Sequence, residues 1–281
     1  MTAEQGLPHV AAICSQLNAS LERDLGEGAF KHAYLVTING HQVALKIAPV
    51  SENLRARFER EIVALRGCSH PAIASLLYAA PHAVGTTQYW VLYEEFLPGG
   101  TLDTLLANKR LSVQDVKQIG VVLADALEYL YTKRFVHRDI KPANILFRRP
   151  GEPVLTDFGI VRILGEKSLT HDFLLQGPGT PLYAAPEQLS NDKGAIDWRT
   201  DQFGLALVLA RCLLQRHAFT PEGGTDRDAV VAVASHAALP TRSVQELRDI
   251  GFECLVRALQ PWPVQRFRYP ADFLTELSKV T

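Results

Sequence analysis

The sequence is poor in cysteine, balanced in charge and free of long apolar runs. Its four cysteines, Cys14, Cys68, Cys212 and Cys254, are scattered and form no CxxC pair. That excludes a zinc knuckle or a disulfide framework and reads as reduced thiols in a cytoplasmic protein. With 29 basic against 30 acidic residues, the formal charge is −1. A general basic footprint for nucleic acid is therefore excluded. The longest apolar stretch, Leu205 to Ala210, ends at Arg211, far short of the ~20 residues a membrane-spanning helix needs. Neither nucleic acid nor membrane is expected as a partner. The first residues lack the positive start of a signal peptide. No repeat, heptad array or low-complexity tract is present, which excludes solenoids and coiled coils. What remains is ordinary globular material, 47% hydrophobic and 21% charged. The length of 281 residues suits one large domain or two small lobes.

The first half reads as strands with one helix. Strands are predicted over Phe30 to Ile38, Gln42 to Ile47 and Tyr89 to Phe96, with Asn39-Gly40 as a hairpin turn. Leu54, Phe58, Ile62 and Leu65 have helical spacing within Ser51 to Arg66, and Ser51 suits the N-cap. After Pro98-Gly99-Gly100 the pattern turns helical. Helices are predicted over Leu102 to Ala107, Val113 to Tyr131, Thr200 to Leu214, Ala229 to Ala237, Gln245 to Ala258 and Pro270 to Ser278. Short strands fall at Ile145 to Phe147 and at Val154-Leu155. The expected organisation is an extension over residues 1–20, a small β-rich lobe over 21–97 and a larger helical lobe over 98–281. The extension reads as a short helix or tail lying on the small lobe.

Three motifs carry chemistry. Gly26-Glu-Gly28 lies between two strand-like segments, where glycines can bring backbone N–H groups to phosphate oxygens or can simply make a turn. Lys46 stands in the apolar strand Val43-Ala-Leu-Lys46. A buried ammonium needs a partner, and a phosphate with the carboxylate of Glu61 would serve; otherwise Lys46 is an edge-strand lysine reaching solvent. The third motif is His137-Arg-Asp139-Ile-Lys141-Pro-Ala-Asn144 with Asp157-Phe-Gly159 downstream.

On these motifs the chain resembles the eukaryotic-type protein serine/threonine kinase family, whose elements continue in order. Gly179-Thr180-Pro181 precedes Ala185-Pro186-Glu187, Asp201 opens an apolar helix, and Arg266 follows Pro261. The resemblance covers residues 21–279 and implies an α+β, bilobal fold and ATP-dependent transfer to protein hydroxyls. It implies that Lys46, held by Glu61, meets the ATP phosphates, and that Asn144 and Asp157 bind Mg2+, with Mn2+ as a substitute. Asp139 would orient the attacking hydroxyl and accept its proton, and Lys141 would reach the transferring phosphate. Gly26, Gly28, Ala33, Ala44 and Leu146 would surround the nucleotide. Glu94 to Phe96 would be the hinge, and Tyr93 the gatekeeper before it. Leu65, Leu76, His137 and Phe158 match the apolar stack that Asp201 anchors, and Glu187 with Arg266 matches a buried ion pair.

The third loop glycine is replaced by Lys31 and the following valine by Ala33. Both concern nucleotide affinity. A pseudokinase scaffold is the alternative, but Lys46, Asp139, Asn144 and Asp157 stand together, which a decayed site would not keep. A small-molecule kinase of the same fold is a further alternative, against which the Gly179-Thr180-Pro181 and Ala185-Pro186-Glu187 segments count. Lys141 favours serine/threonine acceptors. Ala143 and Thr101 stand where arginine-directed kinases often place carboxylates, so weak preference for basic peptides is expected, and Asp103 nearby reads as a solvated helix residue. Arg57, Arg138 and Arg162 match a pocket for an activation-loop phosphate, for which Thr170 and Ser168 are the candidate sites. Asp172 is the alternative source of negative charge. The chain ends soon after the last helix, so regulation is expected within the kinase, in the first twenty residues or in a separate partner.

Overall fold

The computed structural model describes residues 7–27, 31–50, 59, 62–63, 65–158, 162–163 and 181–280. The chain divides into two compact units, Met1–Ser69 with Ala74–Phe96, and His70–Ile73 with Leu97–Thr281.

The first unit is built on an antiparallel five-stranded sheet in the order β1-β2-β3-β5-β4. Its strands are β1 (Ala19–Glu27), β2 (His32–Ile38), β3 (His41–Pro49), β4 (Leu76–Val84) and β5 (Thr87–Glu95). Asn39 and Gly40 both take positive φ, 51° and 80°, which is the two-residue turn whose twist matches paired strands. Helix α1 (Leu7–Gln16) lies on one face. Its Val10, Ile13 and Cys14 are buried in one cluster with Tyr34, Val36, Val43, Leu45, Tyr89, Val91 and Tyr93. Each fully buried aliphatic side chain there contributes about 1.5–3 kcal/mol, so part of the segment expected as an extension is core. Strand β3 has β2 on one side and β5 on the other, so Lys46 is not an edge-strand lysine. Residues 59, 62, 63, 65 and 66 are helical, whereas Ser51 lies outside the described residues.

The second unit is mainly helical. Helices α2 (Leu102–Asn108) and α3 (Val113–Thr132) open with capping boxes at Thr101 and Ser112. The predicted stripe of α3, Val116, Ile119, Leu123, Leu127 and Leu130, is buried throughout. After the short α4 (Pro186–Leu189) comes α5 (Trp198–Leu214), with fourteen buried residues on all sides, the mark of a core helix. The prediction of one helix over Gln245 to Ala258 is corrected. The chain forms α7 (Thr241–Asp249) and α8 (Glu253–Ala258), following α6 (Asp226–Ala234). The break is at Gly251, whose φ of 83° leaves the helical region. The last helix is α9 (Pro270–Lys279). Short strands β6 (Phe135–Val136) and β9 (Arg162–Ile163) pair, as do β7 (Ile145–Phe147) and β8 (Pro153–Leu155).

None of the four cysteines forms a disulfide. Burial pushes the thiols of Cys212 and Cys254 up to about 12, so they stay protonated and unreactive. Among the described residues no helix is long and apolar enough to cross a membrane.

Candidate active site

In the first unit, strand register assembles one set of side chains. Ala33 pairs with Lys46 across β2–β3, and Ala44 pairs with Glu94 across β3–β5. Directly opposed residues in a sheet share a face, and so do residues two apart. Ala33, Ala44, Lys46 and Glu94 therefore line one face, and Gly26, opposite Ala33, stands at its edge. Gly26 takes φ 113°, open to glycine but not to a side-chain-bearing residue, and its N–H is held by Asp24 Oδ1 at 2.6 Å. Lys46 Nζ donates to Glu94 Oε2 at 2.7 Å, with side-chain exposures of 15% and 3%. Among the described residues this is the ammonium's one hydrogen bond, so further N–H groups are available to a phosphate, and the site fits that group.

The register corrects the gatekeeper. Tyr93 pairs with Leu45, which puts it on the α1 face, stacked on Tyr78 with ring centroids 4.9 Å apart. Glu94, not Tyr93, shares the Lys46 face at the end of β5. The hinge expected over Glu94 to Phe96 begins at the end of β5, where Glu94 is paired with Ala44 and its side chain is bonded to Lys46. Glu95 N–H is bonded to Ser75 O, and Phe96 is the last residue of the unit.

In the second unit, His137 through Asp157 folds around two buried anchors. Asp201, inside α5, accepts the N–H of His137 on Oδ2 and that of Arg138 on Oδ1, each at 2.7 Å. Burial pushes this carboxyl up to about 7, while those two N–H donors pull the other way. His137 is fully buried, which lowers its pKa and keeps the ring neutral. Its Nδ1 accepts from Asp139 N–H at 3.2 Å, so Nε2 carries the proton and donates to Thr156 O at 3.0 Å. Phe158 packs edge-on against the His137 ring, centroids 4.6 Å apart.

This frame fixes the polar cluster. Asp139 Oδ2 accepts from Lys141 Nζ at 2.8 Å and from Asn144 Nδ2 at 2.9 Å. Asn144 Nδ2 also donates to Asp139 O at 2.9 Å. With its amide nitrogen spent on Asp139, Asn144 has Oδ1 without a donor among the described residues, and an amide oxygen suits a hard cation. Asp157 sits at φ 63° one residue after Thr156, whose N–H is bonded to Asn144 O. Two oxygen donors in this segment thus fit a divalent cation. Leu146 lies in β7, its backbone bridged to Thr101.

Glu61, Gly28, Arg57, Ser168, Thr170, Asp172, Gly179 and Thr180 lie outside the described residues, and Arg162 is described only as backbone of β9. Two contacts had gone unread. Gln188 Nε2 donates to Arg138 O at 2.8 Å and its Oε1 accepts from Ala185 N–H, tying α4 to the segment that carries Asp139. Thr200 Oγ1 donates to Glu187 Oε1 at 2.8 Å. Adjacency to Ala185-Pro186-Glu187 was the sequence signal for Gln188; Thr200 offered none. The expected Glu187–Arg266 pair is present at 2.8 Å and buried.

Residues 19–260 match the protein kinase domain. The chain belongs to the protein kinase family. It is 33% identical over 271 residues to the serine/threonine-protein kinase PknJ of Mycobacterium tuberculosis, covering 90% of this chain and 44% of that protein. It is 30% identical over 217 residues to "Probable serine/threonine-protein kinase SCO3848" of Streptomyces coelicolor, covering 75% of this chain and 31% of that one. The kinase chain thus spans less than half the length of these relatives. Kinase domains of this family use ATP with a divalent cation and act on proteins.

Proposed function

We propose that this kinase domain transfers the γ-phosphoryl group of ATP to serine or threonine hydroxyls of a protein, with Mg2+ as the cation. The observation that carries this is the Asp139–Lys141–Asn144 cluster, two donors converging on one carboxylate oxygen. Asp139 Oδ2 is saturated by them, so Oδ1 is the atom that orients the acceptor hydroxyl and takes its proton. Lys141 neutralises charge beside it. Asn144 Oδ1 and the Asp157 carboxylate would hold the cation, which when bound neutralises the phosphate oxygens. Lys46 meets the phosphates, Ala33, Ala44 and Leu146 pack on the adenine, and Gly26, its own N–H spent on Asp24, supplies the turn from which Gly28 would bring a backbone N–H toward phosphate. Residues 21–97 act as the nucleotide-binding lobe and 98–281 as the catalytic one, in the cytoplasm. Thr101 is spent as a helix cap and Ala143 carries no charge, which supports weak selection for basic peptides.

The test is incubation with labelled ATP, Mg2+ and a generic protein substrate. Asp139→Asn keeps shape and should lower turnover by about 10²-fold or more while nucleotide still binds. Turnover near wild type would refute the assignment. Binding without transfer in the wild type would instead favour a pseudokinase.

A further inference from the structure

Glu94 has no role in the reading above, yet its carboxylate is almost entirely buried and bonded to Lys46 at 2.7 Å. Its other oxygen, Oε1, is buried with no hydrogen-bond partner among the described residues. A buried carboxylate with half its acceptor capacity unmet is costly. The Lys46 ammonium is what offsets that cost. Strand register makes the contact a built one. Lys46 pairs with Leu92 and Ala44 with Glu94, so lysine and glutamate stand diagonally across adjacent central strands on one face. Both ends are fixed by ladder hydrogen bonds.

We infer that Glu94 is the positioning residue for Lys46, a carboxylate carried by the sheet itself. Family resemblance gives that task to Glu61, in a segment whose sequence has helical spacing. A helix-borne partner lets the lysine lose alignment whenever the helix shifts. A strand-borne partner holds Nζ in place and leaves its other N–H groups for phosphate. The inference rests on the proposed role of Lys46.

The experiment compares Glu94→Gln, Glu61→Gln, Lys46→Met and the double variant Lys46→Met/Glu94→Gln in the full chain. Glu94→Gln should raise the KM for MgATP and weaken equilibrium binding of a non-hydrolysable ATP analogue by about ten-fold or more. The KM for the protein substrate should not move. Glu61→Gln should shift the ATP values less. A merely structural residue would lower the active fraction, and so kcat, without moving either KM. Melting gives a readout independent of catalysis. Lys46→Met strands a buried carboxylate and should lower Tm, and adding Glu94→Gln should restore most of that loss. If Glu94→Gln alone does not fold, Lys46→Met against the double variant still decides the pairing. ATP values within two-fold of wild type in Glu94→Gln, or a double variant melting no higher than Lys46→Met, would overturn the inference. Full turnover in Lys46→Met would fail the underlying assignment instead.

Discussion

Removing the guanidinium of Arg266 should unfold the second unit more easily than almost any other single change. Its side chain is fully buried, and all five N–H donors are used. Nη1 and Nη2 grip the two oxygens of Glu187 at 2.8 and 2.9 Å. The remaining donors reach the carbonyls of Gln260, Arg199 and Pro261 at 2.8 to 3.0 Å. The cation also lies 4.6 Å from the centre of the Phe203 ring. Arg266→Met keeps bulk but leaves Glu187 buried with only the Thr200 hydroxyl on it. Breaking a buried pair from one side costs about 3–5 kcal/mol. Orphaning three carbonyls works in the same direction, so the upper end is expected. Denaturant titration of the second unit's transition measures it. Glu187→Gln in the Arg266→Met background removes the stranded charge and should recover at least about 1 kcal/mol, the non-additivity of a direct partnership. Arg266→Lys should also lose stability, because an ammonium has three donors and no planar fork. A loss below about 1 kcal/mol for Arg266→Met would refute the reasoning, since that is the scale of an exposed pair.

Three further outcomes are expected. Tyr93→Ala should cost about 3–5 kcal/mol as a core truncation on the α1 face, read by thermal melts, and should not admit bulky adenine analogues; improved binding of such compounds would restore Tyr93 to the nucleotide side. At Gly99 an added Cβ would stand 2.6 Å from Phe147 O and 2.7 Å from Phe147 Cβ, so Gly99→Ala must push β7 away and lose about 1–3 kcal/mol by overpacking, checked by urea titration. Mass spectrometry after incubation with ATP should find phosphate on Thr170 or Ser168, and the double alanine variant should lose activity. An unmodified loop with full activity in that variant would leave Asp172 as the charge that serves.

Legibility in the sequence followed local signals. Asn39-Gly40 announces its hairpin because both residues tolerate positive φ, and both adopt it. The α3 stripe is legible because one face is buried and the other is not. Strands β1 and β4 escaped for the opposite reason. Ala19–Glu27 is almost wholly exposed, and Leu76–Val84 carries Pro81, so neither shows the apolar alternation of a buried strand. Gly251 inside an otherwise helical pattern was the missed break. The Asp139–Lys141–Asn144 cluster was legible as a group because its residues are close in sequence, and they share one set of hydrogen bonds. Glu94 was not, because its role depends on the β3–β5 register. Those strands are not joined by a hairpin, β4 lies between them in sequence, and a shift of one residue exchanges Tyr93 for Glu94 on the Lys46 face.

The candidate residues of the two units are held by different physics. Arg138 and Asp157 take φ of 71° and 63°, conformations that cost a non-glycine residue of order 1–3 kcal/mol each. They persist because neighbours over-determine them. Asp201 holds the N–H of Arg138, Gln188 holds its carbonyl, and the His137 ring bridges Asp139 N–H to Thr156 O. Asp201 does this from α5, which is buried on all sides. Strain at Arg138 and Asp157 is thus balanced by packing around α5, and on the proposed mechanism Asp139 would be presented without reorganisation. Lys46 has no such backbone frame. It is a long side chain on a regular strand, and its alignment depends on whichever carboxylate faces it. On the role proposed for Lys46, that asymmetry would make its contact with Glu94 the place where nucleotide affinity is tuned without disturbing Asp139.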